Sequence, residues 1–465
     1  MLYASAAFLF LFLPLALGIY MLVSERAKKY VLLSTGLLFY VLANLASPPA
    51  IPVFGAVLAL TCLAGWVVAR TGSRVVPLCV AVFDIAAFVV LRVLYEAPGV
   101  NFMFPLGAAI YIFASVSYLF DIRRGDCRPG SLIDTLLFLS FFPVIVAGPV
   151  VKYKDFAKYI GEAKVSIFSF AGGARLFMTG FIETVAVAGV TGEAYKTIIE
   201  LSGHSINIVL GILAAALALL SAFFTIAGWT DMGAGISMMF GIMIPRDCGF
   251  APGALTPLGH FNRIFRGLSG WLDDYLISPL SRVLKLRGKP AESLGVFLQV
   301  VLMSLWIRTT PAMLIAASVV ACAAALLKLT RADEAIEQKR YLRPLGWLLT
   351  TVIMSVFWSA ATLGGADELV SLFGKLNLAE DFRTYYIYIS LSGWEFISVA
   401  AAALLVVAPL SFYHDSILSL MPKKFRTSLE ALFMLVLLFV FVFCVLYFMP
   451  QYPQYAVRVS DYFVF

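Results

Sequence analysis

The chain is 465 residues long, 62% hydrophobic and only 13% charged, with a mean hydropathy of +0.94, which excludes a soluble globular protein and fits an all-α polytopic membrane protein. At about 20 residues per crossing, that length accommodates something over a dozen helices in one membrane domain, 1–465. The net charge of +7, from 34 Lys and Arg against 27 Asp and Glu, does not mark a nucleic-acid partner: the basic residues sit in short loops between apolar runs, where they act as topology signals.

Apolar runs at about 2–23, 30–46, 51–69, 75–94, 102–120, 132–149, 167–194, 206–227, 232–245, 291–306, 311–329, 343–363, 386–410 and 430–449 each suit a span or part-span. The first has no positive residue before it and is followed by Glu25, Arg26, Lys28 and Lys29, the charge order of an uncleaved first span with its N-terminus outside. Loops carrying Arg70 and Arg74, then Arg123, Arg124 and Arg128, are basic, while 47–50 and 95–101 are nearly free of positive charge. Alternation then puts Arg331 to Arg343 and Lys423, Lys424 and Arg426 inside, with Asp367, Glu368, Glu380 and Asp381 outside.

Two stretches break this alternation. AGPVVKYKDFAKYIGEAK (147–164) is basic where an external loop is due, and 232–245 is short for a crossing. Re-entrant elements around a polar hollow in the middle third account for both, because irregular backbone at membrane depth is tolerated where it lines a cavity. The chain divides into N-terminal spans (1–104), a core (105–310) and C-terminal spans (311–465).

Within the core, 259–287 reads as an interfacial amphipathic helix. Phe261, Ile264, Phe265, Leu268, Trp271, Leu272, Tyr275 and Leu276 recur on one face, and Asn262, Arg263, Arg266, Ser269, Asp273 and Asp274 fall on the other. The three histidines, His204, His260 and His414, sit at loop or helix edges without a metal-ligand spacing. The six cysteines form no C-x-x-C pair and read as small hydrophobes. Charges near membrane depth carry more information, since an ion in lipid costs at least about 2.5–3.5 kcal/mol on insertion scales. Asp231 in AGWTDMGAGISMMFG, Arg175 and Glu183 in ARLFMTGFIET, and Asp121 after SVSYLF are the candidates, while Gly233 and Gly235 suit close helix packing.

Five stretches together resemble the membrane-bound O-acyltransferase (MBOAT) family, in its bacterial branch that acetylates alginate and other exported polysaccharides. They are FLFLFLPLALGIYML, PLGAAIYIFASVSYLFDIRRG (105–125), FFPVIVAGPVVKYKDF (141–156), AGWTDMGAGISMMFG (227–241) and LSGWLDDYLISPL (268–280). The resemblance implies a ring of about 11–14 transmembrane or re-entrant helices around a central cavity, in a bacterial cytoplasmic (inner) membrane. It also implies an acyl donor arriving from one face, a hydroxyl acceptor from the other, and no tightly bound cofactor beyond an acyl thioester donor. The family's W-H-G histidine, taken to deprotonate the acceptor hydroxyl, corresponds in LMSLWIRTT to Ile307, next to Trp306. The histidine of its R-R-W-H-I-S-L-S-x-W-L-R-D-Y helix corresponds to Phe265, with Arg263, Ser269, Trp271, Asp274 and Tyr275 matching around it.

Both imidazoles are therefore missing. His260, five positions before Phe265, projects about 140° away on a continuous helix. Arg308 beside Ile307 stays protonated and can hold an anion but not act as a base. Asp274, Asp273 and Asp231 are the carboxylates open to a substitute role. Three functions follow: an O-acyltransferase on an exported polysaccharide or cell-surface polymer, impaired by Phe265 and Ile307; a pseudoenzyme scaffold partnering cell-envelope modification proteins; or an acyl or lipid conduit.

Overall fold

A computed structural model describes residues 2–96, 104–201, 206–285, 287–363, 365–377 and 423–452. The expected run at 386–410, together with His204, His414, Glu380 and Asp381, lies outside the described residues. Within them the protein is α-helical apart from a short parallel pairing of Ile206–Asn207 with Leu376–Asn377. Eight helices are long and apolar enough to cross a membrane, and Phe8–Leu22 and Leu132–Ile145 are shorter apolar helices. Leu63, Phe83, Val319 and Phe439 are 66, 58, 63 and 72% exposed on such helices, apolar surface that lipid accepts and water does not. The protein is a multi-pass, all-α membrane protein.

Helices α1 (Leu13–Leu22), α2 (Glu25–Ala43), α3 (Ala50–Thr71) and α4 (Val75–Glu96) follow the expected N-terminal runs, and α5 (Ala108–Arg124) follows them into the core. Gly107 opens α5 at φ 81°, where an added Cβ would lie 2.7 Å from the Ile145 carbonyl oxygen, so only glycine fits there. Next come α6 (Leu132–Leu139) and α7 (Phe142–Ile145), both too short to cross. A capping box between Ser131 and Asp134 starts α6.

The chain then returns to the face it left. Thr135 donates to the Tyr118 hydroxyl (3.0 Å), the Tyr153 N–H donates to Ser117 (3.3 Å), and the Lys154 N–H donates to Asp121 (3.0 Å), so both ends of this excursion meet the C-terminal end of α5. A re-entrant hairpin explains why 147–164 is basic: it lies on the same face as Arg124.

The second irregularity has a different cause. The runs 206–227 and 232–245, read as two elements, are joined in one helix, α11 (Ile208–Met239), followed by a non-helical loop. Glycine at 228, 233 and 235 does not end it, because the positions are used for close packing. Beyond α8 (Tyr153–Gly161), α9 (Ile167–Ile182) runs against α11; a Cβ on Gly173 would lie 2.6 Å from the Gly235 oxygen and one on Gly180 2.5 Å from the Gly228 oxygen. Gly233 faces Pro143 of the re-entrant hairpin instead. A π-helical turn, Glu183–Ala188, links α9 to α10 (Gly189–Leu201).

The expected amphipathic helix 259–287 is broken into pieces: α12 (Pro257–Ile264), α13 (Arg266–Leu272), a π turn (Asp273–Ile277) and α14 (Ser278–Val283). The break is Phe265, at φ −131° and ψ 62°. The apolar face survives it, with Phe261, Ile264, Phe265, Leu268, Trp271, Leu272 and Tyr275 all buried and Leu276 exposed. Burial against neighbouring helices fixes each piece, so helical continuity is not needed. Then α15 (Gly288–Ile307) and α16 (Pro311–Thr330) pack together, and α17 (Ala332–Gln338) leads to α18 (Arg343–Thr362), which rests on α11 and α16. After α19 (Ala366–Gly374), α20 (Lys423–Phe443) covers α9.

Candidate functional site

Three of the stretches that carry the resemblance converge at the C-terminal end of α5. Asp121 accepts from the Tyr275 hydroxyl at 2.5 Å and from the Lys154 N–H. Asp274 accepts from Lys152 at 2.7 Å and Lys154 at 3.3 Å, and Arg124 donates to the Asp274 carbonyl oxygen at 2.9 Å. Burial disfavours the charged form of Asp274, but the two lysines outweigh it and hold the carboxyl below its ordinary range. Asp273 is exposed beside it.

Asp231 is fully buried within α11 and takes a bidentate pairing from Arg246, its Oδ1 receiving the Arg246 Nε–H at 2.9 Å and its Oδ2 the Nη2–H. Arg246 was not singled out from the sequence. The usable signal was that an acid within a span needs a cation, and Arg246 is the next basic residue after Asp231. Glu183 lies near this pair, its Oε2 buried without a hydrogen bond. Arg175 is exposed on α9.

The loop after Arg246 clasps the break at Phe265. The Gly249 N–H donates to the Arg263 carbonyl (2.6 Å), Arg263 donates to the Phe250 carbonyl (3.1 Å), and Asp247 accepts from the Gly267 N–H at 2.5 Å. Burial pushes the Asp247 carboxyl up to about 7, against the Gly267 N–H and the charge of Arg266. On the polar side, Ser269 donates to Asn262 Oδ1 at 2.7 Å and receives a hydrogen bond from Gln299 at 2.6 Å.

Phe265 and Ile307 are 4% and 0% exposed. Trp306, next to Ile307 in the chain, stacks on the ring of Phe113 at 4.8 Å between centroids, and Trp271 tilts against the same ring at 4.4 Å. The Trp271 indole also donates to the Phe113 carbonyl at 3.0 Å. The end of α15 is tied down from outside. Arg92 donates to the Ile307 carbonyl (3.0 Å), and Arg308 donates to the Ala361 carbonyl (2.9 Å).

Both nitrogens of His260 are committed to neighbouring groups. The break at Phe265 voids the angular relation expected on a continuous helix, yet the ring still points elsewhere, lying between Ala251 and Trp358. The Trp358 indole can only donate, so His260 Nε2 accepts (3.2 Å) and Nδ1 carries the proton toward the Ala251 carbonyl (3.2 Å). Burial, with the nearby charge of Arg263, brings the imidazole down to about 4 despite the Ala251 carbonyl.

No family model matches the chain. It is 28% identical to a probable alginate O-acetylase of Pseudomonas aeruginosa over 92% of this chain and 86% of that protein. To a probable alginate O-acetylase of Pseudomonas fluorescens it is 30% identical, over 66% of this chain and 62% of that one. A teichoic acid D-alanyltransferase of Bacillus subtilis is 27% identical over 45% of this chain and 55% of its own length. An all-α multi-pass fold and similarity to alginate O-acetylases across most of its length together support the resemblance to the membrane-bound O-acyltransferase family.

Proposed function

We propose that the chain serves the O-acylation of an exported polysaccharide or other cell-envelope polymer from a bacterial inner membrane, with its N-terminus outside and without imidazole-driven turnover. The relatives are by name an alginate O-acetylase, a teichoic acid D-alanyltransferase and a peptidoglycan O-acetyltransferase, which supports transfer of an acyl group to a polymer, and a thioester is the donor the family resemblance implies. The observation that carries the second half of the reading is the burial of Phe265 and Ile307 beside the Trp306–Phe113–Trp271 stack. A phenyl and an alkyl side chain accept no proton. The alternative carboxylates are poor replacements, because a base must be free to take a proton. Asp274 is held ionised by two lysines, and Asp231 is tied to Arg246.

Loss of a general base removes about 10²–10⁴ in rate. Purified full-length protein in lipid nanodiscs, given acetyl thioester and alginate oligosaccharide, is expected to transfer acetyl at least about a hundredfold more slowly than a histidine-bearing relative assayed beside it. Equal rates would overturn the reading.

A further inference from the structure

Gln299 stands eleven residues into α15, which at 1.5 Å per residue places it about 16 Å from the start of the span and near mid-bilayer. A neutral amide at that depth has to meet its hydrogen-bonding needs within the protein or with a guest. It meets some of them. Its Nε2 donates to Ser269 Oγ at 2.6 Å and to Asn262 Oδ1 at 3.3 Å, and Ser269 Oγ donates to Asn262 Oδ1 at 2.7 Å. In this arrangement Asn262 turns its oxygen and Gln299 its amide nitrogen into the triangle.

Two groups remain over. The Asn262 Nδ2 hydrogens and Gln299 Oε1 make no hydrogen bond among the described residues, and all three side chains are only partly buried. One amide thus keeps a donor and the other an acceptor, with no charged group in the triangle. That combination suits a hydroxyl, which both accepts and donates, better than a phosphate or carboxylate, which would call for a cation. The position is relevant too. Phe265 lies between Asn262 and Ser269 in the chain, Gln299 is two helical turns before Trp306 and Ile307, and Trp271, two residues beyond Ser269, offers an aromatic neighbour.

We propose that Asn262 and Gln299, set by Ser269, form a subsite for a sugar hydroxyl of the acceptor, Asn262 donating to the hydroxyl oxygen and Gln299 Oε1 accepting its proton in a hydrogen bond. The proposal deepens the reading of the chain as a polymer O-acylation protein and rests on it. Helix glue is the competing role for the same residues, since polar side chains across membrane helices commonly do no more than join them.

The test uses the full chain in nanodiscs with alginate oligosaccharide as probe, measuring binding by calorimetry and stability by thermal melting on the same samples. Saturable binding is expected, weakened at least about tenfold by Asn262→Leu and by Gln299→Leu, with the affinity for acetyl thioester unchanged. A lowered melting temperature with unaltered sugar affinity would mean helix glue and overturn the proposal, as would absence of saturable binding by the unaltered chain. Failure of the underlying reading registers separately: it is acetyl transfer by the doubly substituted Phe265→His, Ile307→His chain that would be missing.

Discussion

The Trp358 indole N–H points at His260 Nε2 across 3.2 Å and leaves Nδ1 to bind the Ala251 carbonyl. Every polar atom of this imidazole is occupied, so it has neither a free lone pair for an acceptor hydroxyl nor an open side for one to approach. Trp358→Phe removes the donor and leaves a buried nitrogen unpaired, a loss of about 1–3 kcal/mol. The expected outcome is a lower melting temperature with acyl-donor binding unchanged. A fall in donor affinity without loss of stability would place His260 in the functional site after all.

The same ring makes stability depend on pH in a defined window. Unfolded, the imidazole takes a proton near pH 6.5; folded, it resists one until about 4. Stability from neutral His260 is therefore complete above about pH 6.5, declines as pH falls toward 4, and loses nothing further below that. Asp274 acts lower on the scale: its depressed pKa gives stability that is present above the ordinary carboxylate range and lost as pH falls through its folded value. Asp247, raised to about 7, contributes the opposite slope over the same window, so the check, by melting of detergent-solubilised protein against pH, is a difference: between pH 6.5 and 4 His260→Phe should lose less stability on acidification than the unaltered chain, and Asp274→Asn as much as it.

Placing imidazoles at positions 265 and 307 tests the proposed absence of a base there. Phe265→His together with Ile307→His is expected to raise acetyl transfer by about 10²–10⁴ if folding is retained. Burying two imidazoles beside the Trp306–Phe113–Trp271 stack lowers stability at the same time, so the assay is read against the quantity of folded protein. No gain in rate from folded double variant would mean that the surrounding positions have ceased to bind reactants.

Breaking the two ion-paired acids should have unequal consequences. Arg246→Gln leaves fully buried Asp231 without its cation, and because Arg246 is itself 43% exposed the cost falls below the about 3–5 kcal/mol of a wholly buried pair while staying above that of a surface one. Asp274→Asn acts on a partly exposed pairing, worth about 0.2–1 kcal/mol per ion pair after solvent screening. Folded yield and melting temperature should fall sharply for the first and slightly for the second. Comparable losses would contradict the burial assigned to Asp231.

Much of the helical scaffold could be read from the sequence because a span needs about 20 apolar residues and little else. Where the reading failed, short-range pattern competed with packing. Glycines at 228, 233 and 235 look like a boundary, yet they let α11 approach α9 and the re-entrant hairpin while its backbone hydrogen bonds continue. The periodicity across 259–276 correctly sorted the buried side from the polar side, but it carried no sign of the break at Phe265, which is stabilised by the distant loop at 246–250. Arg246 itself lay in what looked like an ordinary connection. Its role depends on a fold that brings a loop back to a buried acid, and neither hydropathy nor spacing encodes that directly.

The re-entrant excursion between α5 and α8 also fixes an arithmetic of sidedness. Both of its ends hydrogen-bond to the same end of α5, so a count that treats its apolar residues as a crossing would invert the segments that follow it. Reporters inserted at Asp126 and at Glu162 should be labelled from one and the same side of a sealed vesicle.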